Sequence, residues 1–182
     1  MKYNIFNPII SWVIKKRIHR INKSIKEPIK SQDKLLKNLI KKSQNTIWGK
    51  KYHYEKINNY NDFKQLVPIQ NYDDIRFYID LIKNGKKNVL WPDEVLSFAK
   101  SSGTTNTRSK FIPITKESLN NCHLKAGQDL LSIYVNQFPK TKIFSGKNLM
   151  IGGSNELEKN SKIITGDLSS ILIDNLPVWT QL

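Results

Sequence analysis

The sequence predicts an α/β protein with a helical front, and three observations carry that reading. Residues 3–25 set Ile5, Phe6, Ile9, Ile10, Val13, Ile14, Ile18, Ile21 and Ile25 on one helical stripe with a basic opposite face. Two short apolar runs, 96–99 and 111–114, flank a Ser/Thr-rich stretch and read as strand, loop and strand. Helical and strand patterns then alternate through the second half of the chain, which is the pattern of an α/β layer.

Taken in order, the first helix ends at Glu27-Pro28, because a residue before proline is pushed out of helical geometry. Its stripe predicts docking on its own protein, with a membrane surface as the other use of such a helix. A second helix is expected from about Ser31 to Gln44, with Leu35, Leu36, Leu39 and Ile40 inward and Gly49 after its frayed end. Asn59-Tyr60-Asn61-Asp62-Phe63 is echoed by Asn71-Tyr72-Asp73-Asp74-Ile75. Asn ahead of an apolar-periodic segment is a helix cap, since its side-chain oxygen accepts an orphan backbone N–H. Two short capped helices are therefore predicted, separated by Val67-Pro68-Ile69. Gly85 and the Lys-Lys-Asn after it make a loop. Pro113 marks the second strand as an edge or a strand end. Thr115 caps a long helix over 116–136, with Glu117 in its first turn and Pro139 beyond its end. Leu149-Met150-Ile151-Gly152-Gly153 reads as a buried strand ending in glycines. Asp167 is expected to cap a helix through Leu168, Ile171 and Leu172, closed by Asn175-Leu176-Pro177.

Composition bounds the function. The chain has 182 residues, 38% hydrophobic and 25% charged, enough for one domain with a core or for part of a larger one. The apolar stretch Pro8–Ile14 is far too short to span a bilayer, and it lacks the flanks of a signal peptide. Cys122 is the sole cysteine, so no internal disulfide forms and a reducing, cytoplasmic setting is expected. The 30 Lys+Arg against 15 Asp+Glu give a net charge of +15. Such an excess marks some nucleic-acid or anionic-membrane binders. Here the cations are mostly lysines spread along an Asn-rich chain, as AT-rich coding DNA produces, and no nucleic-acid partner is expected.

Residues 101–113 read SSGTTNTRSKFIP. A phosphate oxygen is satisfied by backbone N–H groups, hydroxyls and a cation. Small side chains let the backbone approach, Gly103 supplies a conformation other residues avoid, and Arg108 and Lys110 bring charge. It is not a Walker A loop, since G-x-x-x-x-G-K-[ST] occurs nowhere in the chain. A flexible surface loop and a phosphate-wrapping loop both fit these residues.

Ser101-Ser102-Gly103-Thr104-Thr105, followed after a polar link by Lys110, resembles the phosphate loop of the adenylate-forming superfamily. The longer string SSGTTNTRSKFIPITKESL resembles more narrowly the GH-three (auxin-responsive promoter) family of acyl-acid amido synthetases. NTIWGKKY at 45–52, YNDFKQLVPIQNYDDI at 60–75, LWP at 90–92, FAKSSGTT at 98–105, IGGS at 151–154 and GDLSSILIDNLPVW at 166–179 extend the resemblance over almost the whole chain.

The resemblance implies ATP- and Mg²⁺-dependent activation of a carboxylic acid as an acyl-adenylate, then amide formation with an amino acid. It implies that Ser101, Ser102, Gly103, Thr104 and Thr105 line the triphosphate and that Lys110 is the loop's basic residue. It also implies a helical segment at 1–45 and an incomplete N-terminal part of the large adenylation domain at 46–182. Asn106 stands where the superfamily usually has Gly, and the link to Lys110 is one residue longer. The family's Tyr-x-x-Ser-Glu-type and Tyr-Arg-x-Gly-Asp-type motifs are absent, as is the smaller C-terminal domain. The chain thus looks like the front of a family member, inactive alone, with the missing C-terminal portion as its partner.

The remaining candidates are few. Cys122-His123 are adjacent on a helix and so point about 100° apart, which does not suit a nucleophile and its base. Cys122 is expected to be partly buried, and the resemblance puts His123 near the acyl pocket. His19 and His53 have no metal-ligand spacing, and no metal site is expected. Trp12, Trp48, Trp91 and Trp179 are spaced as packing anchors. No catalytic residue is identified.

Overall fold

The computed structural model describes residues 6–101, 109–145, 149–157 and 163–177. The chain divides into two compact units, Met1–Pro28 with Glu117–Ile151, and Ile29–Lys116 with Gly152–Leu182.

In the first unit the apolar stripe folds as helix α1, Phe6–Lys26. One partner buries it in part: the long helical run that forms the second half of this unit. That run opens with Lys116–Ser118, passes through a wider π turn at Leu119–His123, and continues as Leu124–Gln137. The last stretch is antiparallel to α1 and packs along it. Arg17 Nε donates to Asp129 Oδ1 at 2.7 Å, and Ser132 Oγ donates to the Ile14 carbonyl at 2.9 Å. Ile14 and Val135 are buried. The predicted docking of α1 is therefore seen, but over part of the stripe. Trp12 is 62% exposed and is no packing anchor, and Ile9 and Val13 face solvent with it. The stripe is wider than the arc one neighbouring helix covers. Cys122 is exposed rather than partly buried. The wide π turn buries Leu119 and carries Cys122 round to the outside. Leu149, Met150 and Ile151 form no strand and are exposed, Leu149 by 89%. Apolar character alone does not make a strand when no neighbouring strand pairs with it.

In the second unit, α2 spans Pro28–Ser43. It begins at Pro28 rather than Ser31, because proline's fixed φ suits the first helical position, where its missing N–H is not needed. Its inward line is Leu36, Ile40 and Ser43, at helical spacing, while Leu35 and Leu39 are exposed. Gly49 lies not after a frayed end but inside a separate helix, α3, Ile47–Lys51. Thr46 caps it, its Oγ1 accepting the Gly49 N–H at 2.9 Å. A Cβ on Gly49 would run into the Ser43 carbonyl, so this close approach requires glycine. The Ile47 and Trp48 N–H groups donate to the Asn88 and Val89 carbonyls, tying α3 to the loop after Gly85.

The two Asn-led helices form as expected. Helix α4 spans Tyr60–Leu66 behind Asn59, and α5 spans Tyr72–Lys83 behind Asn71. Asn71 Oδ1 accepts from the N–H groups of Asp73 and Asp74, and Asp74 Oδ2 accepts back from the Asn71 N–H, a complete capping box. Helix α5 delivers Tyr78, Ile79 and Ile82 to a core with Trp48, Tyr54, Val89 and Phe98. Trp48 meets Tyr78 edge-on at 5.0 Å between ring centres. Burial pushes the Tyr54 phenol above its ordinary range.

Strands β1, Ser97–Lys100, and β2, Phe111–Ile114, pair antiparallel. Two strands not expected from the sequence, β3 at Asn155–Leu157 and β4 at Ile164–Gly166, complete a sheet of order β2-β1-β4-β3. The β1–β4 pair is parallel and the β3–β4 pair antiparallel. Strand β2 is an edge, which accommodates Pro113. The Lys116–Ser118 turn is α6 and Leu124–Gln137 is α7 in chain order, and α8 spans Leu168–Asp174. Asp167 occupies the N-cap position of α8 but makes no side-chain cap bond there. The molecule is α/β, helical in front with a small mixed sheet.

Candidate functional site

The Ser/Thr loop leaves the sheet at the end of β1 and re-enters at the start of β2. Ser102, Gly103, Thr104 and Thr105 lie outside the described residues, whereas Ser101 and Lys110, at the loop's two ends, lie inside. Those two close a neck. The Ser101 N–H donates to the Lys110 carbonyl at 2.9 Å, and the Lys110 N–H donates to Ser101 Oγ at 3.1 Å. The neck extends the β1–β2 ladder, whose last register pair is Lys100 with Phe111.

A side chain not singled out from the sequence anchors the return strand. Tyr72, in the first turn of α5, accepts the Phe111 N–H on its hydroxyl at 2.8 Å. The Lys110 ammonium stands 5.7 Å from the centre of the Tyr72 ring, and Lys83 Nζ stands 3.9 Å from that of Phe111. The Asn71 capping box fixes where α5 begins, and so fixes where Tyr72 stands. The only sequence signal was the echo itself, which reports a cap and not a contact 39 residues away.

Beside the neck is a polar hollow of about 280 Å³, lined by Lys100, Ser101, Ser109, Ser154, Thr165, Gly166 and Asp167. It lies at the carboxyl ends of the parallel strands β1 and β4, where open α/β sheets hold ligands. Its far wall explains the two glycines before Ser154. The Asp167 N–H donates to the Ser154 carbonyl at 3.1 Å, and the Gly153 N–H donates to Ser169 Oγ at 3.1 Å. A Cβ on Gly153 would overlap the Asp167 carboxylate. The Gly-Gly-Ser segment thus lies flat against the start of α8, a close approach that any side chain would block. The hollow presents hydroxyls, one ammonium and one carboxylate, a set suited to a polar, charged ligand.

Among the described residues, no group of three or more His, Cys, Asp or Glu is placed to hold a metal ion. His53 contacts Glu55 at 3.2 Å on the surface, and His123 is half-buried in the π turn of the other unit.

The family model described as the GH3 family N-terminal domain matches residues 17–181. The chain belongs to the GH3 family. It is 36% identical over 89 residues to an indole-3-acetic acid-amido synthetase, GH3.15, of Arabidopsis thaliana, covering 48% of this chain and 15% of that one. It is 31% identical over 101 residues to the 4-substituted benzoates-glutamate ligase GH3.12 of Arabidopsis thaliana, covering 54% of this chain and 17% of that one. The solved structure of the GH3.15 acyl acid amido synthetase in complex with 2,4-DB superposes with a TM-score of 0.66 at 18% identity, over 96% of this chain and 29% of that one. At that identity the likeness shows the fold. The chain spans less than a third of the length of these GH3 relatives.

Proposed function

We propose that this chain forms the phosphate-holding front of an enzyme that uses ATP to join a carboxylic acid to an amino acid. The observation that carries the reading is the neck. A loop of small hydroxylic residues leaves and returns through two hydrogen bonds between Ser101 and Lys110, beside a polar hollow at the carboxyl end of a parallel strand pair. The GH3 relatives named above are acid–amino acid ligases, which supports the reaction class.

In the proposed reaction a carboxylate oxygen attacks the α-phosphorus of ATP, and the bond to the β-phosphate breaks with release of pyrophosphate. The amine of an amino acid then attacks the acyl carbon, loses a proton, and displaces AMP. The part assigned to this chain is positional and electrostatic. Ser101, Ser102, Gly103, Thr104 and Thr105 offer N–H and hydroxyl donors to the polyphosphate, and Lys110 offsets charge on the departing pyrophosphate. Tyr72 positions Lys110 by holding the next residue's N–H. His123 is assigned to the acyl pocket. Mg²⁺ enters by the same family resemblance alone; among the described residues no group of three or more His, Cys, Asp or Glu is placed to hold it.

The names of the relatives differ in the acid, indole-3-acetic acid in one and 4-substituted benzoates in another, so the proposal extends to the class of carboxylic acid and no further. The reaction needs the ribose-holding and metal-proximal motifs that this sequence lacks, and residues 1–182 alone should not adenylate. A cytoplasmic setting is part of the reading, since the one thiol, Cys122, is free and exposed.

The test is acid-dependent ATP–pyrophosphate exchange in this chain joined to a segment carrying those motifs. Thr104→Val and Lys110→Ala should each slow exchange by about one to three orders of magnitude. Exchange unchanged in both variants removes the loop from the mechanism.

A further inference from the structure

We propose that the outward face of α1 docks on an anionic membrane surface. The proposal stands apart from the ligase reading and rests on the first unit alone. At about 100° per residue, Ile9, Trp12, Val13, Lys16, Arg20 and Lys23 fall within an arc of about 100° on one side of the helix. Of the residues that meet α7, Ile14 lies on the opposite side and Arg17 at the edge of this arc. Ile9, Trp12 and Val13 are 55%, 62% and 53% exposed, and Lys16, Arg20 and Lys23 are exposed as well. The face is therefore ordered along the helix, apolar first and cationic after.

Its charge commits it to one kind of partner. No Asp or Glu occurs among residues 1–26, so the three cations meet no acid on their own element. The one carboxylate that α7 brings to α1, Asp129, is engaged by Arg17. Lys16 Nζ stands 3.5 Å from the centre of the Trp12 ring, so a cation rides on the most exposed aromatic of the face. Tryptophan and lysine together suit a membrane boundary, the indole at headgroup depth and the ammonium at the phosphates. A nucleic-acid backbone would offer anions but nothing for Ile9 and Val13. Among the described residues no helix is long and apolar enough to cross a membrane, so the contact proposed is with the surface.

Vesicle flotation of the 182-residue chain tests this, with phosphatidylcholine vesicles made with and without phosphatidylserine. Binding is expected to the phosphatidylserine vesicles at low salt, to weaken steeply as salt is raised, and to be slight on phosphatidylcholine alone. Tryptophan emission should shift to the blue on binding, and Trp12→Ala should abolish the shift. Each cation near an anionic leaflet contributes about a fivefold gain, so Lys16→Glu with Arg20→Glu and Lys23→Glu should lower binding by about a hundredfold. A control with the same net charge change on exposed sites elsewhere, Lys34→Glu with Lys41→Glu and Lys64→Glu, should retain most of it. All these residues are exposed, and unchanged far-ultraviolet circular dichroism checks that the variants fold. Equal retention on neutral vesicles, equal loss in the control, or unchanged binding in the α1 variant each overturns the proposal. So does the absence of binding at low salt. Trp12 already shielded from aqueous iodide without vesicles would assign the face to a protein partner instead.

Discussion

Around Phe98 the chain closes completely. Phe98 is 0%, Val89 1% and Ile79 2% exposed, and rings from Trp48, Tyr54 and Tyr78 fill the space between them. The seam between α1 and α7 is built otherwise. It buries Ile14 and Val135, is tied by Arg17 to Asp129 and the Lys125 carbonyl and by Ser132 to the Ile14 carbonyl, and leaves Ile9, Trp12, Leu130 and Ile133 in water. The difference follows from the number of walls. A helix packed on a sheet and covered by further helices has its apolar side enclosed, whereas two helices lying together enclose only the strip between them. The enclosed region carries the neck of the Ser/Thr loop, and the charge-holding role proposed for that loop would gain from a rigid support. The open region keeps apolar and cationic surface available.

The comparison breaks most sharply at single large side chains. Phe98→Ala should lower stability by about 3–5 kcal/mol in denaturant unfolding, because it leaves a cavity with no room to collapse. Trp12→Ala should stay within about 0.5 kcal/mol of the parent. Equal losses for the two would erase the contrast. Next in size is the glycine wall of the hollow. Gly153→Ala should cost about 1–3 kcal/mol by driving a Cβ into the Asp167 carboxylate, and Asp167→Gly in the same chain should recover part of the loss. Asn71→Ala removes the acceptor for two N–H groups at the start of α5 and should cost about 1 kcal/mol. The smallest effect belongs to the open seam. Asp129→Asn should cost less than about 1 kcal/mol, and added salt should shrink the difference further, since the pair is only part-buried.

What was legible in the sequence was local. Asn59 and Asn71 announce their helices because a cap is made between residues two and three apart. The strand–loop–strand was legible because β1 and β2 are close in sequence and flank small polar residues. The GH3 family membership rested on ordered strings of residues rather than on any periodicity. What was not legible was set by distant partners. Ile164–Gly166 is too short to announce itself and is a strand because β1 lies beside it. Leu149–Ile151 is equally apolar and finds no strand to pair with. Leu35 and Leu39 are out while Leu36 and Ile40 are in, because the core lies to one side of α2. At the candidate site, neither the Ser101–Lys110 hydrogen bonds nor the Tyr72 support was legible. The polar wall of Ser154, Thr165 and Asp167 comes from a segment that only the parallel β1–β4 pairing brings near.

The role proposed for the segment closed by Ser101 and Lys110 is to hold phosphate. Amide hydrogen exchange of residues 101–111, followed with and without millimolar ATP, tests it most directly. Exchange across this segment should slow when ATP is present, and Lys110→Ala should remove that slowing while leaving protection of the Phe98 core unchanged. Exchange at 101–111 that is indifferent to ATP in the parent chain, or equally slowed in Lys110→Ala, would contradict the claim.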